Sequence, residues 1–268
     1  MRFRIVGAIA ALALTVSVGA SAQSLGEIAV YHENVGWIGQ AAADEAAAEI
    51  LANTTAADIS VVDMDGAAAW VAANTGDGDA DVLFMFGYLP ETIYEPANVE
   101  ADGSLIEAFI EDGNVALNTA DYIFYVTAGG GTNGDAGLKA ITDSEFDCWT
   151  DNNLATPTAD GATYTPSLAE FNSNRSLKRD QVEADANWEY VGVFAEGDLG
   201  TDPAIIRDVN NGGMVGVVMQ VSDDTLPRGA VVTELFNNWL PAIFTTTAVD
   251  ADGKMASTWA ALKEIGRA

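Results

Sequence analysis

The apolar positions of this chain fall into short runs separated by stretches patterned for helices. Glu27–Tyr31 (EIAVY), Asp58–Asp63 (DISVVD) and Asp81–Phe86 (DVLFMF) read as strands, rich in Val, Ile and Phe. Between and after them lie helical segments at Gln40–Asn53, Gly66–Asn74 and Ser104–Glu111. The first is rich in Ala and keeps Glu45 and Glu49 outward. The third turns Leu105, Ile106, Phe109 and Ile110 inward, and Asp112-Gly113 stops it as Gly does at a helix C-terminus. Asn114–Val126 (NVALNTADYIFYV) follows: Val115-Ala116-Leu117 suits a buried parallel strand, cut short by the small polar stretch Asn118-Thr119-Ala120-Asp121-Tyr122. This alternation predicts a three-layer α/β fold, an open, mostly parallel sheet with helices on both faces. Ligands in such sheets sit beyond the carboxyl ends of the strands, so the end of the Val115 strand is where a site is expected.

The rhythm breaks over 127–187. A Gly-rich turn, Ala128–Gly134, precedes short helical pieces and loops around Pro157 and Pro166, which read as an irregular insertion beside the strand ends. Trp188–Ala195 resumes as a strand. Ala204–Val209 and Met214–Gln220 flank Asn210-Asn211-Gly212-Gly213 and predict a late β-hairpin. Ala230–Trp239 is patterned as a helix, and Ser257–Ile265 as a terminal one. The expected layout is a leader at 1–22, an α/β domain at 23–245 and a helical tail at 246–268.

The leader reads as a secretory signal peptide. Arg2 and Arg4 precede the apolar Ile5–Gly19, and Ala20-Ser21-Ala22 supplies a small-residue cleavage site before Gln23. The apolar core is short for a membrane span. The mature protein is therefore expected to be soluble and secreted or periplasmic, with no span of its own. Removing the leader takes two arginines and no acid, leaving nine basic against 40 acidic groups and a formal charge of −31. Such a surface repels nucleic acid and anionic membranes. An apolar fraction of 49% is ample for a core and excludes a disordered chain. Cys148 is the single cysteine, so no intrachain disulfide forms.

Three stretches together resemble the class I glutamine amidotransferase-like fold, with its flavodoxin-like sheet and its trehalose-utilisation (ThuA-like) relatives. They are DVLFMFG, LIEAFIEDGNVALNTADY, and the late pair PAIIRDVNNGGMVGVVMQ and LPRGAVVTELFNNWL. In that family a G-x-C-x-G turn sets a Cys nucleophile on a strained strand-to-helix elbow, and a downstream His activates it. The equivalent turn here is Asn118-Thr119-Ala120-Asp121-Tyr122, with Ala120 at the Cys position. The one histidine, His32, lies at the end of the first strand, and Cys148 lies in the insertion. The resemblance therefore implies the fold without the glutaminase.

A parallel sheet gathers His32, Glu33, Tyr88, Asn118, Asp121 and Tyr122 at one edge. His32 beside Glu33 or Asp121 suits a general base or a metal ligand, or else a hydrogen-bonded structural role; Asp121 also suits a helix N-cap. Trp37 and Tyr88 are shaped to stack on a sugar ring or to pack at the rim. Asp223 and Arg228 follow a late strand. Arg228 suits a substrate carboxylate or phosphate, or an ion pair with Asp223 or Asp224. No cofactor is required. Asp77, Asp79 and Asp81, like Asp63-Met64-Asp65-Gly66 and Asp250-Ala251-Asp252-Gly253, alternate carboxylates in a way that suits calcium or another divalent cation, without the Glu at loop position 12 of an EF-hand.

Three function classes follow. The leading one is non-catalytic binding of a small ligand at the C-terminal strand ends, with carbohydrate implied by the resemblance. The others are a hydrolase or isomerase built on His32, Glu33 and Asp121, with or without a metal, and an acidic cell-surface interaction module. The charge itself makes a testable statement. Self-repulsion at −31 destabilises the fold at low ionic strength and eases as salt screens it. The melting temperature is expected to climb across a sodium chloride series; a flat or falling series would refute this.

Overall fold

A computed structural model describes residues 23–99, 102–129 and 131–244. The leader, the helical tail and the Asp250–Gly253 loop lie outside the described residues. Thirteen strands and seven α-helices are present among the described residues. The first half follows the predicted alternation: β1 (Leu25–Tyr31), α1 (Gln40–Asn53), β2 (Ile59–Val61), α2 (Met64–Ala73), β3 (Ala80–Phe86), α3 (Leu105–Glu111) and β4 (Val115–Thr119). The middle holds β5 (Val126–Thr127), β6 (Gly131–Thr132), α4 (Asp135–Ile141), β7 (Asn153–Pro157), α5 (Ala159–Tyr164), β8 (Phe171–Ser173) and α6 (Arg179–Ala184). The chain ends its described part with β9 (Trp188–Val193), β10 (Ala195–Gly197), β11 (Gly200–Thr201), β12 (Ala204–Asp208), β13 (Met214–Val218) and α7 (Arg228–Glu234).

Seven strands form the main sheet, in the order β2-β1-β3-β4-β13-β12-β9. The pairs from β2 to β13 are parallel, and β12 runs antiparallel to both its neighbours. The class is thus α/β with a mostly parallel sheet. Every residue of β3 and β4 is buried, as central parallel strands require. Alternation along each strand feeds two cores. Ile28, Val30, Phe84, Phe86 and Leu117 pack with α1, α7 and the turn that continues α7, through Ala47, Ile50, Val232 and Phe236. Ala29, Tyr31, Leu83, Met85 and Ala116 pack with α2 and α3 through Val71, Ile106, Phe109 and Ile110.

Helix ends are fixed by specific groups. Ser104 and Glu107 form a reciprocal capping box at the start of α3. α7 continues into a wider π turn, Leu235–Trp239. That turn aims the Asn237 side chain at the end of α1, where it accepts from Thr55 N at 2.7 Å and donates to Asn53 O at 2.9 Å. The two helices on that face are thereby joined at the open end of α1, where carbonyls lack helical partners.

The middle of the chain differs from the expectation of loops and helical pieces. β7 and β8 from that stretch join β10 and β11 in a second, four-stranded antiparallel sheet, ordered β11-β10-β7-β8. Trp188–Ala195 is also not one strand. It breaks at Phe194, whose N–H donates to Pro203 O at 2.9 Å, and the chain passes from the main sheet into the small one. Strands of two to five residues carry too little alternation to register as a pattern in sequence.

A chain of buried polar groups ties the C-terminal strand ends together. Asp202, with no exposed surface, accepts from Ser173 Oγ at 2.6 Å, Met219 N at 2.6 Å and Gln220 N at 2.7 Å. Gln220 Nε2 donates to Asn118 O at 2.8 Å, and Asn118 Nδ2 donates to Gly87 O at 2.8 Å. Arg228, 2% exposed, donates to the carbonyls of Asp223, Val221 and Met219, and its charge faces Asp202.

Burial pushes the carboxyls of Asp81, Asp121 and Asp202 up from 3.8 to about 6, and raises Glu107 as well. In the unfolded chain these groups ionise first, so between 3.8 and about 6 the folded state holds more protons and stability falls as pH rises. Asp44, Asp147 and Asp223 are lowered instead, chiefly by hydrogen bonds, and lose their contribution below the usual carboxylate range. The melting temperature should therefore rise on acidification from pH 7, peak near the ordinary carboxylate value of about 4 and then fall. Asp202→Ala should cost about 3 kcal/mol or more, because it orphans two backbone donors and leaves Arg228 without its facing charge. Chemical denaturation measures this, and a loss below about 1 kcal/mol would show that the carboxylate does not hold the edge together.

Candidate functional site

The strand order places β1 between β2 and β3, so the connections diverge at the β1/β3 boundary. That boundary is the topological switch point at which open α/β sheets bind ligands. The loops after β1, β3 and β4 interlock there. Ala120, directly after β4, has φ +66° and no exposed surface, and its carbonyl accepts from Trp37 N at 3.0 Å. An alanine in the left-handed region costs about 1–2 kcal/mol, so the surrounding packing must impose this turn. Gly87, at φ +80°, lies against the backbone of Gly36 with no room for a β-carbon. Gly36 in turn lies against the Asp121 carboxylate, also with no room for a β-carbon.

Asp121 is 4% exposed, and its Oδ1 accepts from Tyr122 N at 2.6 Å. Burial raises its carboxyl to about 6, against the opposing pull of that hydrogen bond and of the Arg175 charge. Arg175 is the centre of an aromatic cluster. Its guanidinium carbon lies 4.2 Å from the Trp149 ring centroid, 5.5 Å from that of Trp37 and 6.0 Å from that of Tyr122. Trp149 sits edge-on to Tyr122 and Tyr125 at 5.5 and 5.7 Å, and those two tyrosines stack at 5.0 Å. Arg175 pairs with Asp151 at 2.5 Å, and its Nε is buried with no hydrogen-bond partner among the described residues.

The expected catalytic trio is not assembled as a unit. His32 Nδ1 lies 3.0 Å from Asp44 Oδ1, not against Asp121. Glu33 Oε2 accepts from Met64 N at 2.8 Å and so caps α2. Trp37 reaches the Arg175 cluster, while Tyr88 is half-buried on the neighbouring loop. Asn118 is buried and occupied by Gln220 and Gly87. The Tyr122 hydroxyl accepts from Cys148 N at 2.9 Å, and burial pushes both its own pKa and that of the Cys148 thiol up. Asp223 closes a local turn on Thr225 N at 2.9 Å, and Arg228 is turned inward onto carbonyl oxygens. Among the described residues Arg228 makes no ion pair with Asp223 or Asp224, because burial leaves its guanidinium facing the backbone.

Asp77, Asp79 and Asp81 do not converge as three ligands. Asp77 accepts from Asp79 N at 3.0 Å, Asp79 accepts from Ser24 Oγ, and Asp81 is buried, accepting from Glu27 N at 2.6 Å. Among the described residues, the acidic side chains whose oxygens come within 4.8 Å of one another as a trio are Asp102, Glu107 and Asp143. Glu107 there is engaged in its capping box.

Arg175 and Trp149 were not among the residues expected at the site. The legible signal was charge: Arg175, Lys178 and Arg179 are three of the 11 basic residues, set within five positions of a very acidic chain.

No family model matches the chain, and no curated protein matches it. Among solved structures, a ThuA-like protein from Bacteroides uniformis ATCC 8492 aligns over 86% of this chain and 99% of its own, at 13% identity and a TM-score of 0.42. A cold-adapted β-galactosidase from Rahnella sp. R3 aligns over 80% of this chain, at 11% identity and a TM-score of 0.37; the chain spans only 31% of that enzyme.

The site makes a sharp electrostatic statement. Since the Arg175 charge favours ionised Asp121, Arg175→Ala should move the Asp121 titration above its starting value of about 6. Carboxyl-carbon NMR follows this directly. An unchanged or lowered value would show that the guanidinium does not act on Asp121.

Proposed function

We propose that this chain is an exported, amidotransferase-like α/β domain that binds a small carbohydrate ligand at the C-terminal edge of its sheet and carries out no glutaminase chemistry. The observation that carries the second half is Ala120. Its positive φ at the end of β4 is the backbone of a strand-end elbow, yet a methyl group stands where a nucleophile would, and the Trp37 loop covers it. Cys148 is buried with its thiol pKa raised, which is the opposite of an activated nucleophile. His32 is engaged with Asp44. The ligand-binding half is supported by the Trp37, Tyr122, Trp149 and Arg175 cluster, since rings beside a guanidinium suit a polyol with one apolar face.

A hydrolase or isomerase reading has one observation in its favour, the buried Asp121 with its carboxyl near about 6. His32 and Glu33 do not join it, so a general acid would act there without the expected partners. Divalent-cation binding at Asp77–Asp81 would need those side chains to rearrange toward a common centre.

Ammonia release from glutamine tests the proposal. The wild type and Ala120→Cys are both expected to stay at background. A Cys at that position would still need a base to form thiolate, given an ordinary thiol pKa of roughly 8.5, and no histidine follows His32. Turnover by the wild type would overturn the reading, and turnover by Ala120→Cys would reveal a base at the elbow.

A further inference from the structure

We infer that Trp149 is the stacking platform of an extended groove that takes a neutral oligosaccharide. This rests on the carbohydrate reading above and adds a second place, out on the small sheet, for the ligand to run. Two hollows of about 900 and 660 Å³ flank the turn between β10 and β11 and share Arg179, Asp198 and Leu199. Trp149 stands in the wall of the smaller one, and Leu154 in the wall of the larger. Both volumes fall within the range of ligand pockets, and together they leave room for more than one ring.

Trp149 combines exposure with fixation. It is 41% exposed, although large apolar side chains usually hide. Arg175 covers it at 4.2 Å, Tyr122 and Tyr125 meet it edge-on, and its indole N–H donates to Asp135. A ring already held by four partners loses little freedom when a ligand lies on it, so its binding area carries a small entropic cost. Leu154 and Leu199, 49% and 53% exposed, extend apolar surface along the same groove.

The charges decide what kind of ligand fits. Arg175 pairs with Asp151 at 2.5 Å, Lys178 with Asp147 at 2.7 Å, and Arg179 with Glu196. An anionic ligand would have to break these pairs and would then meet Asp198 and Asp180. A cationic ligand would be drawn to the acids of the walls, Asp180, Glu183 and Asp198, but would gain nothing from the exposed apolar surface of Trp149, Leu154 and Leu199. A neutral polyol donates to the carboxylates and accepts from the guanidinium groups without separating any pair.

The test is an array of glycans from one to six units, neutral and uronate-bearing, read against the mature protein, with each hit followed by tryptophan fluorescence titration. Affinity is expected to rise with chain length among the neutral glycans. Trp149→Ala should weaken the best hit about tenfold or more, Trp149→Phe should retain most of it, and Leu199→Asp, on an exposed turn, should weaken it with an unchanged melting temperature. Tighter binding of uronate chains would overturn the neutral assignment. Saccharide binding indifferent to length and to both the Trp149 and Leu199 substitutions would remove the groove and leave the carbohydrate reading standing. A wild type that binds no glycan on the array would overturn both.

Discussion

The C-terminal edge of the sheet depends on a carboxylate that has no contact with water. Asp202 sits at the start of β12, which runs against its neighbours, so it faces the same edge as the ends of β4 and β13. Its two oxygens gather donors from β8 and from the residues just after β13. Gln220 passes the linkage to Asn118 and Asn118 passes it to Gly87, so one hydrogen-bonded path crosses the edge from the small sheet to the end of β3. In a low-dielectric setting such a network is worth most when complete and costs most when broken. The inward-facing Arg228 supplies the compensating charge.

That path has a consequence for chemistry. The loops it anchors are those that open a ligand crevice in other doubly wound sheets, and here they close on one another through Gly36, Gly87 and Ala120. Two open hollows lie outward, beside the antiparallel sheet built from the middle of the chain. The strand ends are thereby linked to one another, and Trp149, Leu154 and Leu199 stand exposed on the added sheet and its neighbouring loops. In a chain of formal charge −29 the cations of this patch are each paired with an acid, and Asp180, Glu183 and Asp198 add negative charge around them.

The alternation of β1 to β4 with α1 to α3 was legible from composition and period alone, because a parallel strand buried on both faces must be an apolar run and a covering helix must carry an apolar stripe. The turn at Ala120 was legible as a change from apolar to small polar residues, and Gly113 as a helix stop. The second sheet was not: β7 and β8 pair with strands that follow them by tens of residues or lie next to them across a loop, and their few residues show no usable period.

Side-chain partners were decided only in three dimensions. His32 and Asp121 stand at the ends of neighbouring strand pairs in the linear reading, yet one meets Asp44 on α1 and the other meets Gly36 and lies within reach of the Arg175 charge. Arg228 reads in sequence as a group for a substrate anion or for Asp223 or Asp224, and the fold buries it where carbonyls converge. Sequence determines which residues must leave water, since that follows from their own chemistry and period. Which polar groups are buried with them, and against whom, depends on how strands far apart in the chain are brought side by side, and this contact order is a property of the packed molecule.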